Sequence, residues 1–406
     1  MASIEKRGDN YRITVSCGYA ADGSKIRERA TFRPDRTKTE KQNQKALEKF
    51  VYEFEQRVTG GKYLDGEKIT FQAFAEKWLS EYAMQHLEKT TFTMYSHMIS
   101  AHINPRIGHL KLSKVQPAHL NSLYLELSKT RTDGKEGGYS GKTIRHVHTV
   151  ISSVFATAVQ WNICTENPCA RVKPPTSAQR DNLKHFTLDE TKTFLSALNE
   201  PYADGKQLSE QLALFFTIAV FSGCRRGEIL ALEWSDIDFN KNLIRINKST
   251  TVAGNEVITK QPKTRGSVRN VPLPDSVMHL AKHWKVEQQK KRLAIGSKWE
   301  GSNYVFIQWN GKQMHPDTPY NAFKAFLKRY NATHDIKLPE IPLHGLRHTS
   351  ATLLITQNTD IKTVSHRLGH SRTSTTLDIY SHSLEKTERA AAETLDHILN
   401  AKKTAL

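Results

Sequence analysis

The chain has 406 residues, 38% hydrophobic and 25% charged, the balance of a folded soluble protein and too long for one ordinary core. Lys and Arg outnumber Asp and Glu by 59 to 41, a net charge of +18 that favours a polyanionic partner, because neutralising phosphates releases condensed counterions. The charged start Met1–Arg7 does not read as a secretory signal, and the longest apolar run, Leu212–Phe221, is too short to span a bilayer. Cys17, Cys164, Cys169 and Cys224 are scattered without the spacing of a zinc site. A soluble cytoplasmic protein with no membrane partner is expected.

Residues 1–65 open with alternating strand patterns, Tyr11–Cys17 and Lys25–Phe32, separated by a turn at Ala21–Ser24. Apolar residues at helical spacing follow Thr39: Ala46, Phe50, Val51, Phe54 and Val58. A small sheet backed by one helix is expected. Its basic residues, Arg12, Arg27 and Arg29, suit either a DNA groove or a solvated edge that blocks aggregation. Gly60-Gly61 and Asp65-Gly66 mark a linker.

Residues 68–170 read as wholly helical. Phe71, Phe74, Trp78 and Tyr82 form one stripe; a helix over Thr90–Ile103 should stop before Pro105, and another should start at Pro117. Thr130–Ser140 reads as a mobile loop. The long helix from Gly141 to Trp161 buries Val147, Val150, Ile151, Val154, Phe155 and Val159, while Lys142, Arg145, His146 and His148 crowd its start. That basic end, like Lys89, suits DNA or a solvated face. Pro168, Pro174 and Pro175 mark a second linker. Residues 180–390 read as helices around one antiparallel ribbon through Leu243–Ile246, Glu256–Thr259 and Arg269–Leu273. A helical tail runs from Leu384, with residues 391–406 beyond the last domain. The expected architecture is multidomain and mainly α with small β elements: a β-sheet plus helix, a helical domain, and an α+β domain.

Four clusters in the last segment carry chemistry. In Ser222-Gly223-Cys224-Arg225-Arg226-Gly227-Glu228, the two glycines free the backbone around Arg225, whose fork can clamp a phosphate and be held by Glu228. Lys260-Gln261-Pro262-Lys263-Thr264-Arg265 lies at the ribbon tip, where either lysine could protonate a leaving oxygen. His344 and Arg347 in Leu343-His344-Gly345-Leu346-Arg347-His348 share a helical face. Gly369 can end a helix and present His370, and Tyr380 follows as a possible nucleophile. Each cluster alone equally fits an ordinary structural role.

Their order, Arg225, Lys263, His344, Arg347, His370, Tyr380, resembles the tyrosine recombinase or phage integrase family, most closely integrases of conjugative transposons and temperate phages of Gram-positive bacteria. The resemblance implies an arm-type DNA-binding domain (1–65), a helical core-binding, SAM-like domain (68–170) and a catalytic domain (180–390). It implies integration and excision of a mobile element, with Tyr380 attacking a DNA phosphate to give a 3′-phosphotyrosyl link. Arg225 and Arg347 would bind the non-bridging oxygens, and Lys263, with Lys260 as competitor, would protonate the leaving 5′-oxygen. His344 would assist proton transfer at the tyrosine, and His370 would hydrogen-bond the phosphate. No metal or other cofactor is implied, since the cationic side chains supply the charge. The implied partners are double-stranded DNA at element ends and target sites, three further copies in a tetramer that exchanges strands through a Holliday junction, and possible accessories such as a directionality factor or a host DNA-bending protein. A type IB topoisomerase and a catalytically silent DNA-binding regulator are the rival readings. The helix after Leu384 could pack on its own domain or a neighbour's. Deleting residues 384–406 is expected to weaken assembly on paired sites more than single-site binding, as read by native gels; unchanged assembly would assign the tail to its own domain.

Overall fold

The computed structural model describes residues 2–19, 25–59, 69–176, 184–202, 205, 207–254, 256–262, 267–370, 372–377, 396 and 399. The chain divides into two compact units, Met1–Gln179 and Arg180–Leu406.

The first unit opens with an antiparallel sheet of β1 (Ser3–Arg7), β2 (Asn10–Tyr19) and β3 (Lys25–Phe32), in that order. The sequence gives no sign of β1: Ser-Ile-Glu-Lys-Arg is exposed throughout, and pairing with β2 rather than an apolar pattern makes it a strand. Alternation puts Ile13 and Val15 on one face, buried against Leu47 and Phe54 of α1 (Glu40–Thr59). The pairs Arg12–Thr31, Thr14–Arg29 and Ser16–Arg27 put Arg12, Arg27 and Arg29 together on the other face.

Helices follow: α2 (Phe71–Trp78), α3 (Met84–His86), α4 (Lys89–Met98), α5 (Asn104–Ile107), α6 (Pro117–Lys129) and α7 (Gly141–Gln160). Phe71, Phe74 and Trp78 pack with Val147, Ile151 and Phe155, and Trp78 Nε1 donates to Thr157 Oγ1 at 2.9 Å. The helix before Pro105 does not stop there. A π turn over Ile99–Ile103 widens the backbone and carries the chain into α5, with the proline in its first turn, where no N–H is required. Nor is Thr130–Ser140 an unattached loop. The Tyr139 N–H donates to Leu127 O at 2.8 Å and its ring lies edge-on to His102 at 4.7 Å, while within the loop Arg131 pairs with Asp133 at 2.6 Å. His148 turns inward to the Tyr124 hydroxyl, 2.9 Å from Nδ1, instead of joining the basic surface. Pro168 belongs to a buried 3₁₀ turn against α7, so only the later prolines have linker positions.

The second unit contains α8 (Leu188–Ala197), α9 (Glu210–Ser222), α10 (Arg226–Leu230), α11 (Asp275–Ile295), α12 (Asp317–Thr333), α13 (Gly345–Thr356) and α14 (Ile361–Leu368). Helix α9 is apolar nearly all round and lies inside, against α11, α12 and α13. Around it Phe194, Phe216, Phe323 and Phe326 meet edge to face. The expected single ribbon is two separate ladders. Strands β4 (Ile237–Asp238), β5 (Leu243–Ile246) and β8 (Arg269–Pro272) form one sheet, in the order β4-β5-β8. Strands β6 (Ser249–Ala253) and β7 (Glu256–Lys260) form a hairpin of their own. Ile244 and Val271 bind the first sheet to the core, whereas β6 lacked the apolar run that would have announced it. Among the described residues, no helix is long and apolar enough to cross a membrane.

Candidate active site

Helix α9 ends at Gly223, whose φ of +65° is the left-handed conformation glycine tolerates; a Cβ there would lie 2.7 Å from Leu368 Cδ2. The turn delivers Arg225 to the start of α10. Its backbone N–H donates to Glu228 Oε2 and its Nη1 to Oε1, each at 2.9 Å. The freedom expected of Gly227 is instead a matter of space, since a Cβ would collide with the Thr250 carbonyl of β6.

His344 precedes α13, and Arg347 sits in its first turn, 3% exposed. Arg347 Nη1 donates to the carbonyls of Gly223 and Leu368, both at 2.8 Å, while Arg225 Nη2 donates to Gly369 O at 3.3 Å. Helix α14 ends in a Schellman turn: Gly369 has φ +70°, its N–H donates to His366 O, and the His370 N–H donates to Ser365 O. The two arginines therefore reach carbonyls that the helix end leaves over. Arg225, His344, Arg347 and His370 come together, with His370 Nδ1 at 2.8 Å from Thr376 Oγ1. A cavity of about 210 Å³, walled by Phe215, Cys224, Ile229 and Tyr320, opens beside His344 and Arg347.

Burial, then the positive charges of Arg347 and Arg225, holds the imidazole of His344 below its ordinary range. The same causes bring His370 down to about 4; burial and the neighbouring His344 and Arg347 do so for His348. All three are neutral at pH 7, the state in which an imidazole can accept a proton.

One residue of this site was not legible beforehand. Arg269, at the start of β8, has a fully buried side chain that donates to Glu228 Oε2 at 2.8 Å and to Arg367 O at 2.8 Å, and lies 3.4 Å from Cys224 Sγ. A Cβ on Gly369 would press on its guanidinium at 2.6 Å. Burial alone would raise the Glu228 carboxyl, but the hydrogen bonds and charge of Arg269, with those of Arg225, hold it below its ordinary value. A lone arginine before Asn-Val-Pro-Leu carries no sequence signal of burial; only its place opposite Glu228 gives it meaning.

Lys260 is exposed at the end of β7. Lys263 and Tyr380 lie outside the described residues, as do Val58's side chain and most of the tail after Leu384. Arg27, Arg29, Lys89, Lys142 and Arg145 are exposed, and Arg12 is half-buried.

Residues 184–387, half of the chain, match the phage integrase family, and residues 70–128 match the N-terminal SAM-like domain of phage integrases. The chain belongs to the phage integrase family. It is a site-specific recombinase of the tyrosine class. Among curated relatives, a "tyrosine recombinase XerC-like" protein of Caldanaerobacter subterraneus subsp. tengcongensis is 28% identical, covering 97% of this chain and 98% of its own. The ICEBs1 integrase of Bacillus subtilis is also 28% identical, covering 98% of this chain and all of its own (100%). The fold is that of the Tn1549 transposon integrase solved with transposon right end DNA: TM-score 0.65 and 21% identity over 81% of this chain and 100% of that one. A lambda integrase dimer bound to a core site aligns over 93% of both chains, with TM-score 0.54 and 15% identity.

Two outcomes follow for this phage integrase site. Arg269→Met leaves a buried carboxylate half-paired and is expected to cost about 3–5 kcal/mol in urea unfolding. Adding Glu228→Leu should restore much of that stability without restoring DNA cleavage. The second outcome concerns pH. The folded pKa values of His348 and His370, about 4, lie below the ordinary 6.5, so the unfolded chain takes up protons first as pH falls. Stability is therefore lost from pH 6.5 downward until about 4. The urea midpoint should drop between about pH 7 and pH 5.5, and His348→Gln should flatten that slope.

Proposed function

We propose that the protein integrates and excises a mobile element by cutting and rejoining double-stranded DNA through a 3′-phosphotyrosyl link on Tyr380. The reading rests chiefly on one observation: Arg225, His344, Arg347 and His370, far apart in sequence, share one site whose arginines are fixed by backbone carbonyls and Glu228.

Each arginine would meet a non-bridging oxygen of the scissile phosphate, where charge builds as the tyrosine attacks. Donors already fixed in place need no reorganisation, and one such donor is typically worth about 3 kcal/mol. Neutral His344 would accept the tyrosine proton. At His370, Nδ1 accepting from the Thr376 hydroxyl 2.8 Å away would leave the proton on Nε2, to be donated in a hydrogen bond to the phosphate. A lysine of the β7–β8 segment, Lys263 in preference to Lys260, would give its proton to the 5′-oxygen as the P–O5′ bond breaks. The covalent link conserves the bond energy for rejoining, so no nucleotide is consumed. The domain scheme of arm (1–65), core-binding (68–170) and catalytic (180–390) segments belongs to this reading, with Arg12, Arg27, Arg29, Lys89, Lys142 and Arg145 as phosphate or groove contacts. So do a tetramer on DNA, exchange through a Holliday junction, nucleoid association, and help from a directionality factor or a host bending protein. The tetrameric lambda integrase solved on a Holliday junction is a structural relative in fold.

The test is a nicked suicide duplex bearing the element's end, incubated with chelator and without ATP, and run on a denaturing gel. Wild type should give a slow covalent protein–DNA band that Tyr380→Phe lacks while still shifting the same duplex on a native gel. Native binding by both without a covalent band from either would favour a catalytically silent DNA-binding regulator.

A further inference from the structure

Gln313 lies between α11 and α12, outside every motif, yet its side chain joins three elements. Its Nε2 donates to Leu230 O at the end of α10, at 3.1 Å, and to Thr250 Oγ1 of β6, at 2.6 Å. Thr259 Oγ1 of β7 donates to its Oε1 at 3.2 Å, and the two threonine hydroxyls are 2.7 Å apart. The donors close a ring without conflict. One amide hydrogen goes to Thr250, the Thr250 hydroxyl donates to Thr259, the Thr259 hydroxyl donates back to the amide oxygen, and the second amide hydrogen goes to Leu230 O. The carbonyl of Leu230 can only accept, which fixes which end of the amide faces it. Helix α10 starts beside Arg225; β7 ends in Lys260 and leads into Lys263. At that same start of α10, Gly227 lets the helix meet β6 backbone to backbone.

We infer that Gln313 is a positioning residue that fixes on the arginine helix α10 the β6–β7 hairpin, which ends in Lys260 and precedes Lys263 in the chain, and so sets the place from which the leaving oxygen is protonated. This deepens the proposed reaction and rests on a hairpin lysine being the proton donor. In that step the tyrosine oxygen bonds to phosphorus, the P–O5′ bond breaks, and the lysine ammonium gives O5′ its proton. Gln313 touches no reacting atom. Its loss would leave the arginine clamp in place but let the hairpin wander, so the defect should be confined to leaving-group protonation.

That confinement can be measured. Two nicked suicide duplexes of the element's end are compared in single-turnover cleavage, one with the ordinary 5′-oxygen at the scissile phosphate and one with a 5′-bridging sulfur. A thiol is far more acidic than an alcohol, so the P–S bond breaks to a thiolate that needs no proton. Complete loss of a general acid costs roughly 10²–10⁴-fold. Gln313→Ala and Thr259→Val should each slow the oxygen substrate by about tenfold or more, a part of that range, and cleave the sulfur substrate within about twofold of wild type. The double variant should be no slower than the worse single, because both break one ring. Thr259→Ser keeps the hydroxyl and should behave as wild type. Lys263→Ala and Lys260→Ala are run beside them. If sulfur rescues a lysine variant but not Gln313→Ala or Thr259→Val, or if these cut the oxygen substrate at the wild-type rate, the role of Gln313 is overturned. If sulfur rescues neither lysine variant, the hairpin lysine is not the proton donor and the inference falls with that reading. Rescue itself shows that the variant is folded.

Discussion

The buried carboxylate of Glu228 stands between two guanidiniums, and the geometry of the site depends on that pairing. On one side it orients Arg225, which remains partly open to solvent; on the other it meets Arg269, which has no solvent at all. A carboxylate taken out of water is tolerable only while both oxygens are occupied. Here they are, and the backbone N–H of Arg225 adds a third bond. The same Arg269 also caps a carbonyl at the end of α14. The charge that fixes the first arginine of the site thus also fixes the segment that ends in His370.

Around this pairing, close approach is secured by absent side chains. Gly223, Gly227 and Gly369 each occupy a place where a Cβ would strike a neighbour: Leu368, the Thr250 carbonyl and Arg269 respectively. The result is a set of short segments, from α9 to α10, the start of α13 and the end of α14, bound through backbone carbonyls in addition to the apolar contact of Ala351 and Ile355 with Val364 and Leu368. Polar cross-links are strongly directional, so they fix orientation where apolar packing would allow sliding. That suits the proposed phosphate clamp, whose donors would have to sit at fixed distances from one phosphorus atom.

Arg225, His344, Arg347 and His370, which the structure brings together, stand out because they occur in short motifs with glycines and charged neighbours at set spacing. The fold around them stands out less, for definable reasons. Strand β1 has no apolar alternation and exists only through its partner. Glu256–Thr259 reads as a strand, but the partner β6, rich in Ser and Thr, does not, so the sequence suggests one ribbon where two ladders exist. Pro105 marked a helix end because sequence spacing assumes α geometry and has no place for a π turn. Arg269 and Gln313 could not be found at all: a single arginine or glutamine in a loop or strand looks solvated until the groups opposite it are known. Helical spacing, by contrast, works well for α7, whose buried stripe runs from Ile144 to Ala158, about four turns.

The N-terminal sheet module has an energetic character different from the rest. Among the described residues, its apolar centre is four buried side chains, Ile13, Val15, Leu47 and Phe54, with Tyr11, Phe32 and Phe50 half-buried around them, whereas its opposite face is polar and basic. So small a nucleus buries little surface, and a module of this size is marginal on its own. A small apolar nucleus of this kind is expected to open at lower free energy than the α9-centred core, with amide exchange as the readout. Any anion that binds the arginine face stabilises the folded form by mass action. A polyanion held on that face would therefore raise the fraction of the population folded at its N-terminal end.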